Sequence, residues 1–452
     1  MQANTKPAKG MRDLLPRQML RRRHVVDTIE RVYRSYGFEP LETPACERLE
    51  VLLGKYGDEG DQLVFKVMHR GRKIEEALAS GTATENDVAD MALRYDLTVP
   101  LARVVAEYQH ELPKYFKRYQ IQPVWRADRP QRGRFREFYQ CDVDVVGSES
   151  LAVETEVTSA VAEVLETLGF TDFAIRLNHR GILAGLIESA GIPAELEGTA
   201  LVAIDKLDKI GVDGVQAELA GRGVSAHVAI RLIESVQFDG GDNDAVLNAL
   251  GERLAGSERG SAGVADLRRL LELSDETRAG RFLKVDPFLA RGLSYYTGAI
   301  FEISVADLAG SLGGGGRYDN LVGMFLGRPI PACGFSLGLE RIIVVMEERG
   351  MFGEVGSVAD VMVGVWNESL LVESLKLARE LRDAGLCVDL FPDLDKVGKQ
   401  FKYADSRGYA HVALVGPDEA AQGTVAIKTL KTGEQVAVDR ASVAAWLRDA
   451  RG

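Results

Sequence analysis

The stretch Trp125-Arg126-Ala127-Asp128-Arg129-Pro130-Gln131-Arg132-Gly133-Arg134-Phe135-Arg136-Glu137-Phe138-Tyr139-Gln140-Cys141-Asp142-Val143-Asp144 carries five arginines, at 126, 129, 132, 134 and 136. They are interleaved with aromatics and closed by two carboxylates. The apolar run Ile121 to Trp125 and the alternating run Phe138 to Val146 predict two strands flanking a polar loop that contains Pro and Gly. That makes an arginine-studded hairpin. Guanidinium groups hold phosphate through bidentate, charge-assisted hydrogen bonds and also stack on bases, so a nucleotide, a nucleic acid or both are its natural ligands. The plainer alternative is a charged turn that only meets solvent.

The rest of the chain is acidic, with a formal net charge of -12 over 452 residues. The hairpin is therefore a local anion site, and nonspecific adhesion to nucleic acid is expected to be weak. At about 150 residues per domain the length predicts roughly two to four domains. Hydrophobic residues make up 46% and charged ones 27%, the balance of a soluble globular chain. The start, MQANTKPAKGMRDLLP, lacks the apolar core of a signal peptide, and no 18-residue apolar run follows, so a cytoplasmic protein with no membrane partner is expected. The four cysteines (46, 141, 333, 387) stand far apart without a CxxC pair, which fits a reducing compartment and argues against zinc. No HExxH spacing occurs among the six histidines.

Reading outward, Arg17 to Tyr36 has helical spacing of Val25, Ile29, Val32, Tyr33 and Tyr36 and stops at Gly37. Phe38 to Pro44 is too proline-rich for a central strand and belongs at an edge or an interface. Leu93 to Pro100 leads into an apolar helix, which puts Asp96 and Thr98 at a strand-to-helix turn. Leu151 to Leu168 reads as a helix and Phe173 to Leu177 as a strand. The stretch 181–274 is rich in Ala, Leu, Glu and Gly at helical spacing and is expected to be a mainly helical insertion. Strand signals return at Phe282 to Ile303 and Ala332 to Leu337, with a helix opening at Gly338. A flexible join at 349–359 precedes alternating strands and helices from 360 to 452, a small α/β domain.

Two short motifs suggest other chemistry. Gly334-Phe335-Ser336-Leu337-Gly338 matches G-x-S-x-G on an expected strand-to-helix turn, the place of a hydrolase nucleophile, with His411 as a possible partner. No HGGG-like oxyanion stretch precedes it, and His411 falls in an apolar strand of a separate domain. The glycine run 313–316 suggests a dinucleotide fingerprint but lacks a βαβ context, so a tight turn or a close backbone approach is the expectation.

Several motifs in fixed order resemble the class II aminoacyl-tRNA synthetases, and among them the histidyl family, over nearly the whole chain. Lys9-Gly10-Met11-Arg12-Asp13 is similar to the N-terminal signature of that family, and Tyr36 to Pro44 to the class II dimer-interface motif. Phe116 to Gly147 resembles the second class motif and Gly334 to Arg341 the third. Ala290 to Gly298 (ARGLSYYTG) resembles a peptide particular to the histidyl branch. The resemblance implies an α+β catalytic domain (1–180 with 275–348) built on a mainly antiparallel sheet, and a C-terminal anticodon-binding domain. It also implies ATP with Mg²⁺, L-histidine and tRNA(His) as ligands, and a homodimer.

By the same resemblance Arg126, Arg291 and Arg341 are catalytic: Arg126 on the α-phosphate, Arg341 on the adenine opposite Phe138 and on the γ-phosphate, Arg291 bridging carboxylate and phosphate. Asp128 joins Arg126, Phe138 and Arg341 at the ATP. Asp96, Thr98 and Gln140 match positions that bind the α-amino group, and Asp144 with Tyr296, next to Tyr295, matches the pair that reads imidazole. Arg129, Gln131, Arg134 and Arg136 are expected to meet the acceptor end of tRNA. Two places depart from many bacterial relatives: LRYDLTVPLAR (93–103) stands for an LRPEGT-like form, and Asp128 stands where Glu is usual. Lys396, Lys399, Lys402 and Arg407 recur along one helix, either a phosphate-facing surface or a solvated face. A catalytically dead paralogue that regulates histidine biosynthesis is the alternative; such chains tend to lose the motif arginines and the C-terminal domain, both kept here.

Overall fold

The computed structural model describes residues 4–56, 60–85, 87–236, 241–290, 295–353 and 359–450. The chain divides into two compact units. One runs from Val25 to Met351 with the chain up to Asp13; the other comprises Leu14–His24 and the chain from Phe352 on.

In the first unit β1 (Glu39–Pro40) is followed by three short strands, β2 (Cys46–Arg48), β3 (Lys66–Met68) and β4 (Ala89–Leu93), which pair antiparallel in the order β2-β4-β3. The longer strands are β5 (Phe116–Trp125), β6 (Glu137–Val146), β7 (Phe173–His179), β8 (Leu283–Val285), β9 (Ala299–Val305), β10 (Gly313–Arg317) and β11 (Ala332–Gly338). With β1 they form an eight-stranded sheet of order β1-β5-β6-β11-β10-β9-β7-β8. Every neighbouring pair is antiparallel except the outermost two, β1-β5 and β7-β8. The proline-rich segment after Phe38 contributes only the two-residue edge strand, because proline cannot donate to a ladder on both sides.

Side chains alternate across a strand, so pairing register decides what each face carries. One row crosses the sheet as Arg118, Asp144, Gly334 and Gly316; the next as Gln120, Asp142, Ser336 and Gly314. These polar and glycine residues share one face. The other face carries Tyr119, Cys141, Val143, Val145, Cys333, Phe335 and Leu337, all buried. Helices Ala152–Thr167 and Leu339–Glu348 pack on β6 and β11, and Tyr33, in the second half of helix Pro16–Ser35, reaches the Cys141 carbonyl at 3.4 Å. Each fully buried Val or Leu there contributes about 1.5–3 kcal/mol.

The run Gly313–Gly316 corrects one expectation. It is no tight turn but a central strand, flanked by β9 and β11. Glycine reads as a breaker in sequence, yet here the neighbouring backbone requires it: a Cβ on Gly315 would sit 2.0 Å from the Gly334 carbonyl oxygen, and one on Gly313 2.4 Å from that of Ser336. Only the expectation of a close backbone approach holds.

Between β7 and β8 run helices Arg180–Ser189, Glu197–Ile204, Leu207–Gly221, Ala226–Val236, Asn243–Arg253 and Glu258–Ser274. Asp242 and Ser257 cap the last two by accepting from the Ala245 and Gly260 amides. The second unit holds β12 (Val361–Val363), β13 (Val388–Leu390), β14 (His411–Leu414), β15 (Thr424–Thr429) and β16 (Gln435–Asp439), in the order β13-β12-β14-β15-β16. Its core gathers Val361, Val363, Leu377, Leu381, Ala413, Val425 and Ile427. Strand β16 and helix Pro417–Gln422 were not expected from sequence; both are short, and β16 alternates as a half-exposed edge. No helix of the described residues is long and apolar enough to cross a membrane.

Gly315→Ala is expected to destabilise the first unit by about 1–3 kcal/mol or more through overpacking against a backbone atom. Gly251→Ala, at a helical position with no atom within 4 Å of the added carbon, should instead be neutral or stabilising by up to about 1 kcal/mol. Urea unfolding of both variants measures the contrast; equal stability would show that the strand can yield.

Candidate functional site

The polar face of the sheet opens into a cleft of about 1130 Å³. Its floor is the backbone of Gly313, Gly314, Gly315 and Gly334, and its wall is the hairpin of β5 and β6. Gly334 faces Asp144 across the ladder, and any Cβ there would fall 1.8 Å from Asp144 Oδ1. The missing side chain is what lets the carboxylate lie over the strand.

Four buried carboxylates, Asp96, Asp142, Asp144 and Glu340, line the cleft. Asp96 precedes helix Thr98–Glu107 and accepts from the Val99 amide at 3.1 Å and the Tyr56 hydroxyl at 3.0 Å. A helix N-terminus favours a negative group there. Asp144 accepts from the Tyr318 hydroxyl on one oxygen, while Arg118 Nη2 lies 2.9 Å from the other and 3.7 Å from Asp142 Oδ2. Arg118 has no exposed surface; it also donates to Gln120 Oε1 and the Leu97 carbonyl. Burial pushes the Asp142 carboxyl up to about 7, with Arg118 opposing and the Asp144 charge adding to the rise. Burial likewise raises Asp144, against Arg118 and the Tyr318 hydrogen bond, and raises Asp96 against the Val99 amide and Arg126.

Also lining the cleft, Arg126 donates from Nε to the Tyr95 carbonyl at 3.0 Å, and its guanidinium lies 4.2 Å over the Tyr95 ring and 5.2 Å from that of Phe138. Arg341, another lining residue, donates to the Ser311 carbonyl. The segment before Leu14 braces the hairpin. The Gly10 carbonyl accepts from the Arg136 amide at 2.8 Å, and the Arg12 guanidinium lies 3.7 Å over the Phe135 ring. Arg12 also pairs at 3.8 Å with the buried Glu340, whose second oxygen accepts from the Tyr139 amide at 2.9 Å.

Of the residues anticipated from sequence, Asp96, Thr98, Gln140, Asp144, Tyr295 and Tyr296 line this cleft, and so do Arg126, Asp128, Phe138 and Arg341. Arg134 reaches its rim, ion-paired to Asp128 at 3.0 Å. Arg129 and Gln131 are exposed at the hairpin tip, and Arg136 is half-buried, donating to the Asp128 carbonyl. Arg291 lies outside the described residues. The sequence reading missed Arg118, Asp142 and Tyr318 as site residues. Asp142 carried a signal, since it shares the period-two face of Gln140 and Asp144; Arg118 and Tyr318 become visible only through cross-strand register.

The hydrolase motif dissolves in the structure. Ser336 sits inside β11, not on a turn, and accepts from Gln140 Nε2 at 2.7 Å. His411 is a packed residue of the second unit, 3.3 Å from Thr429 Oγ1 and edge-on to Trp446, its pKa lowered by burial. All four cysteines are free, and among the described residues no group of three or more His, Cys, Asp or Glu side chains is arranged to hold a metal.

The family model described as histidyl-tRNA synthetase matches residues 10–342, and that of the anticodon-binding domain matches residues 360–450. Among curated relatives, a histidine--tRNA ligase of Porphyromonas gingivalis is 44% identical over 94% of this chain and 95% of its own. One of Gloeobacter violaceus is 43% identical over 94% of each. The crystal structure of a histidyl-tRNA synthetase from a Nostoc species is similar with a TM-score of 0.84 at 33% identity, covering 99% of this chain and 100% of that one.

The raised carboxyl of Asp142 has a consequence for stability. The folded chain keeps a proton that the unfolded one has released, so stability falls as pH rises from the unfolded carboxylate value of about 3.9 to the folded value near 7. Asp142→Asn removes that loss. Its stability relative to the parent should therefore rise by a few kcal/mol between the two ends of this window. Chemical denaturation at both ends tests this; a pH-independent difference would contradict it.

Proposed function

The chain belongs to the histidyl-tRNA synthetase family, and from that we propose how the residues of its cleft divide the work. The enzyme is an aminoacyl-tRNA ligase of protein biosynthesis: it activates L-histidine with ATP to histidyl-adenylate and pyrophosphate, then transfers histidine to the 3' end of tRNA(His). The reading as a non-catalytic regulatory subunit is not favoured.

The carboxylate of histidine is already a nucleophile, so the first step needs no general base; catalysis is alignment plus stabilisation of charge at the α-phosphate. In our reading Arg126 holds the α-phosphate and Arg341 stacks on the adenine opposite Phe138 while reaching the γ-phosphate. Arg291 bridges the carboxylate and the α-phosphate, and Asp128 completes the ATP end. ATP enters as its magnesium complex, the ion carried mainly by phosphate oxygens and water. Asp96, Thr98 and Gln140 take the α-ammonium group, for which buried carboxylates are suited. Asp144 meets one imidazole nitrogen and a phenol the other, Tyr296 by resemblance, beside Tyr295. A pocket that hydrogen-bonds both nitrogens rejects analogues that leave a buried partner unpaired. The observation that supports this assignment is that the phosphate-binding and imidazole-binding candidates line one and the same cleft.

Arg129, Gln131, Arg134 and Arg136 belong, on this reading, to the acceptor-end interface, where basic and amide groups contact phosphates and base edges. We divide the chain into a catalytic domain (1–180 and 275–348), a helical insertion (181–274), a linker (349–359) and an anticodon-binding domain (360–452). We further propose a cytoplasmic homodimer joined through residues 36–44, whose edge strand is free for pairing on its outer side in the order of the sheet. Gel filtration with light scattering measures the mass; a monomer at working concentration would refute it.

Exchange of labelled pyrophosphate into ATP should be stimulated by histidine alone among the amino acids. Arg126→Ala, Arg291→Ala and Arg341→Ala should each retain the fold by circular dichroism and lose about 100- to 1000-fold in exchange, the effect of removing one preorganised donor. Near-normal exchange in any of them removes that arginine from the mechanism.

A further inference from the structure

We propose that Arg118 is a positioning residue of the amino-acid pocket: locked between Asp142 and Asp144, it aims the Asp144 carboxylate at the imidazole and, with Asp142, sets the acid limit of histidine binding. The inference rests on the assignment of Asp144 to the imidazole.

The geometry is one-sided. Arg118 Nη2 lies 2.9 Å from Oδ2 of Asp144 as an ion pair, an oxygen otherwise without a hydrogen-bond partner, and the Tyr318 hydroxyl donates to Oδ1. Each carboxylate oxygen has a second lone pair, so tethering both fixes the plane of the group and leaves acceptor capacity for a ligand. Metal-binding histidines are oriented in the same way by groups beyond the ligand itself. Gln140 Oε1, which lines the cleft, and Arg118 Nε are buried without a hydrogen-bond partner, the mark of polar groups arranged for something other than stability alone.

Charge balance supplies the second half of the argument. One guanidinium faces two carboxylates, at 2.9 Å and 3.7 Å, so it favours the ionised form of the closer one more strongly than that of the farther. The charged groups facing the pair from other packed elements are Asp96 and Arg126, while the phenols of Tyr33 and Tyr318 and the Cys141 thiol complete the surroundings. Asp96 adds repulsion to Asp142, and Arg126 acts mainly on Asp96. Without Arg118 the neutral hydrogen bonds from Tyr318 to Asp144 and from Ser336 to Asp142 remain, but the guanidinium that offsets the repulsion between the two carboxylates is lost. Both would keep protons to higher pH, and Asp144 would stop being a charged acceptor within the range where the enzyme works.

The test is histidine-dependent pyrophosphate exchange with the full-length chain at saturating ATP, measured across pH. Ionisation of free histidine is common to every variant, so comparison with the parent isolates the pocket. Arg118→Met should move the acid limb of kcat/KM for histidine upward by on the order of one pH unit and raise KM for histidine more than KM for ATP. Arg118→Lys should recover part of the shift. Asp142→Asn should move the limb downward, and Arg118→Met with Asp142→Asn should bring it back toward the parent. A merely structural role would lower the active fraction and leave the limb in place. If Arg118→Met does not fold, Asp142→Asn decides: an unmoved limb overturns the proposal. Absence of histidine-stimulated exchange in the parent chain would overturn the underlying assignment instead, and this inference with it.

Discussion

Arg118, without exposed surface, faces Asp142 and Asp144 from the adjacent strand, and the arrangement of the cleft follows from keeping these charges together. Removing one partner of a buried pair typically costs about 3–5 kcal/mol because the other charge is left stranded. The pairing of β5 with β6 is therefore tied to a single register. A slip by one residue would bury the carboxylates among Val143, Val145 and Phe335 and turn the apolar face to water. The same constraint fixes β11, since only a glycine at 334 leaves room for Asp144, and through β11 it fixes β10, where glycines let two backbones approach. Catalytic chemistry and strand order here are one problem with one solution.

The cleft combines two kinds of rigidity. One part is buried, with carboxylates held by Arg118, Tyr318, Tyr56 and a helix N-terminus. Another lies on a hairpin whose tip is exposed but is braced from outside by Gly10 and Arg12. A buried pocket selects a small substrate by hydrogen bonding, whereas an open, braced loop accommodates a large and mobile one such as an RNA end. Arg126 stands where the two regimes meet, its guanidinium already stacked on Tyr95.

Sequence reading reached the architecture because the strongest signals were local: the hairpin's alternation, the capped helices, the edge prolines. It reached most of the cleft because Asp96, Gln140, Asp144 and Arg341 stand in motifs with fixed order. What it missed is non-local. Arg118 stands before the predicted strand Ile121 to Trp125, and only its pairing opposite Asp144 gives it a role. Tyr318 follows a glycine run that read as a turn, although the run is a strand whose partners, not its own residues, dictate its composition. Arg291 stays outside the described residues, so its place rests on the motif around it.

A floor of backbone atoms also limits how the enzyme can change. Gly314 and Gly334, on the polar face of the sheet, present no side chain to the cleft, and none can be added at Gly334 without striking the Asp144 carboxylate. Selection, natural or in the laboratory, has no handle at that position. On the proposed assignment, drift in substrate preference comes from the walls, from Gln140 to Asp144 and from the segment holding Tyr295, Tyr296 and Tyr318, and an attempt to enlarge the pocket for a bulkier amino acid should be directed there.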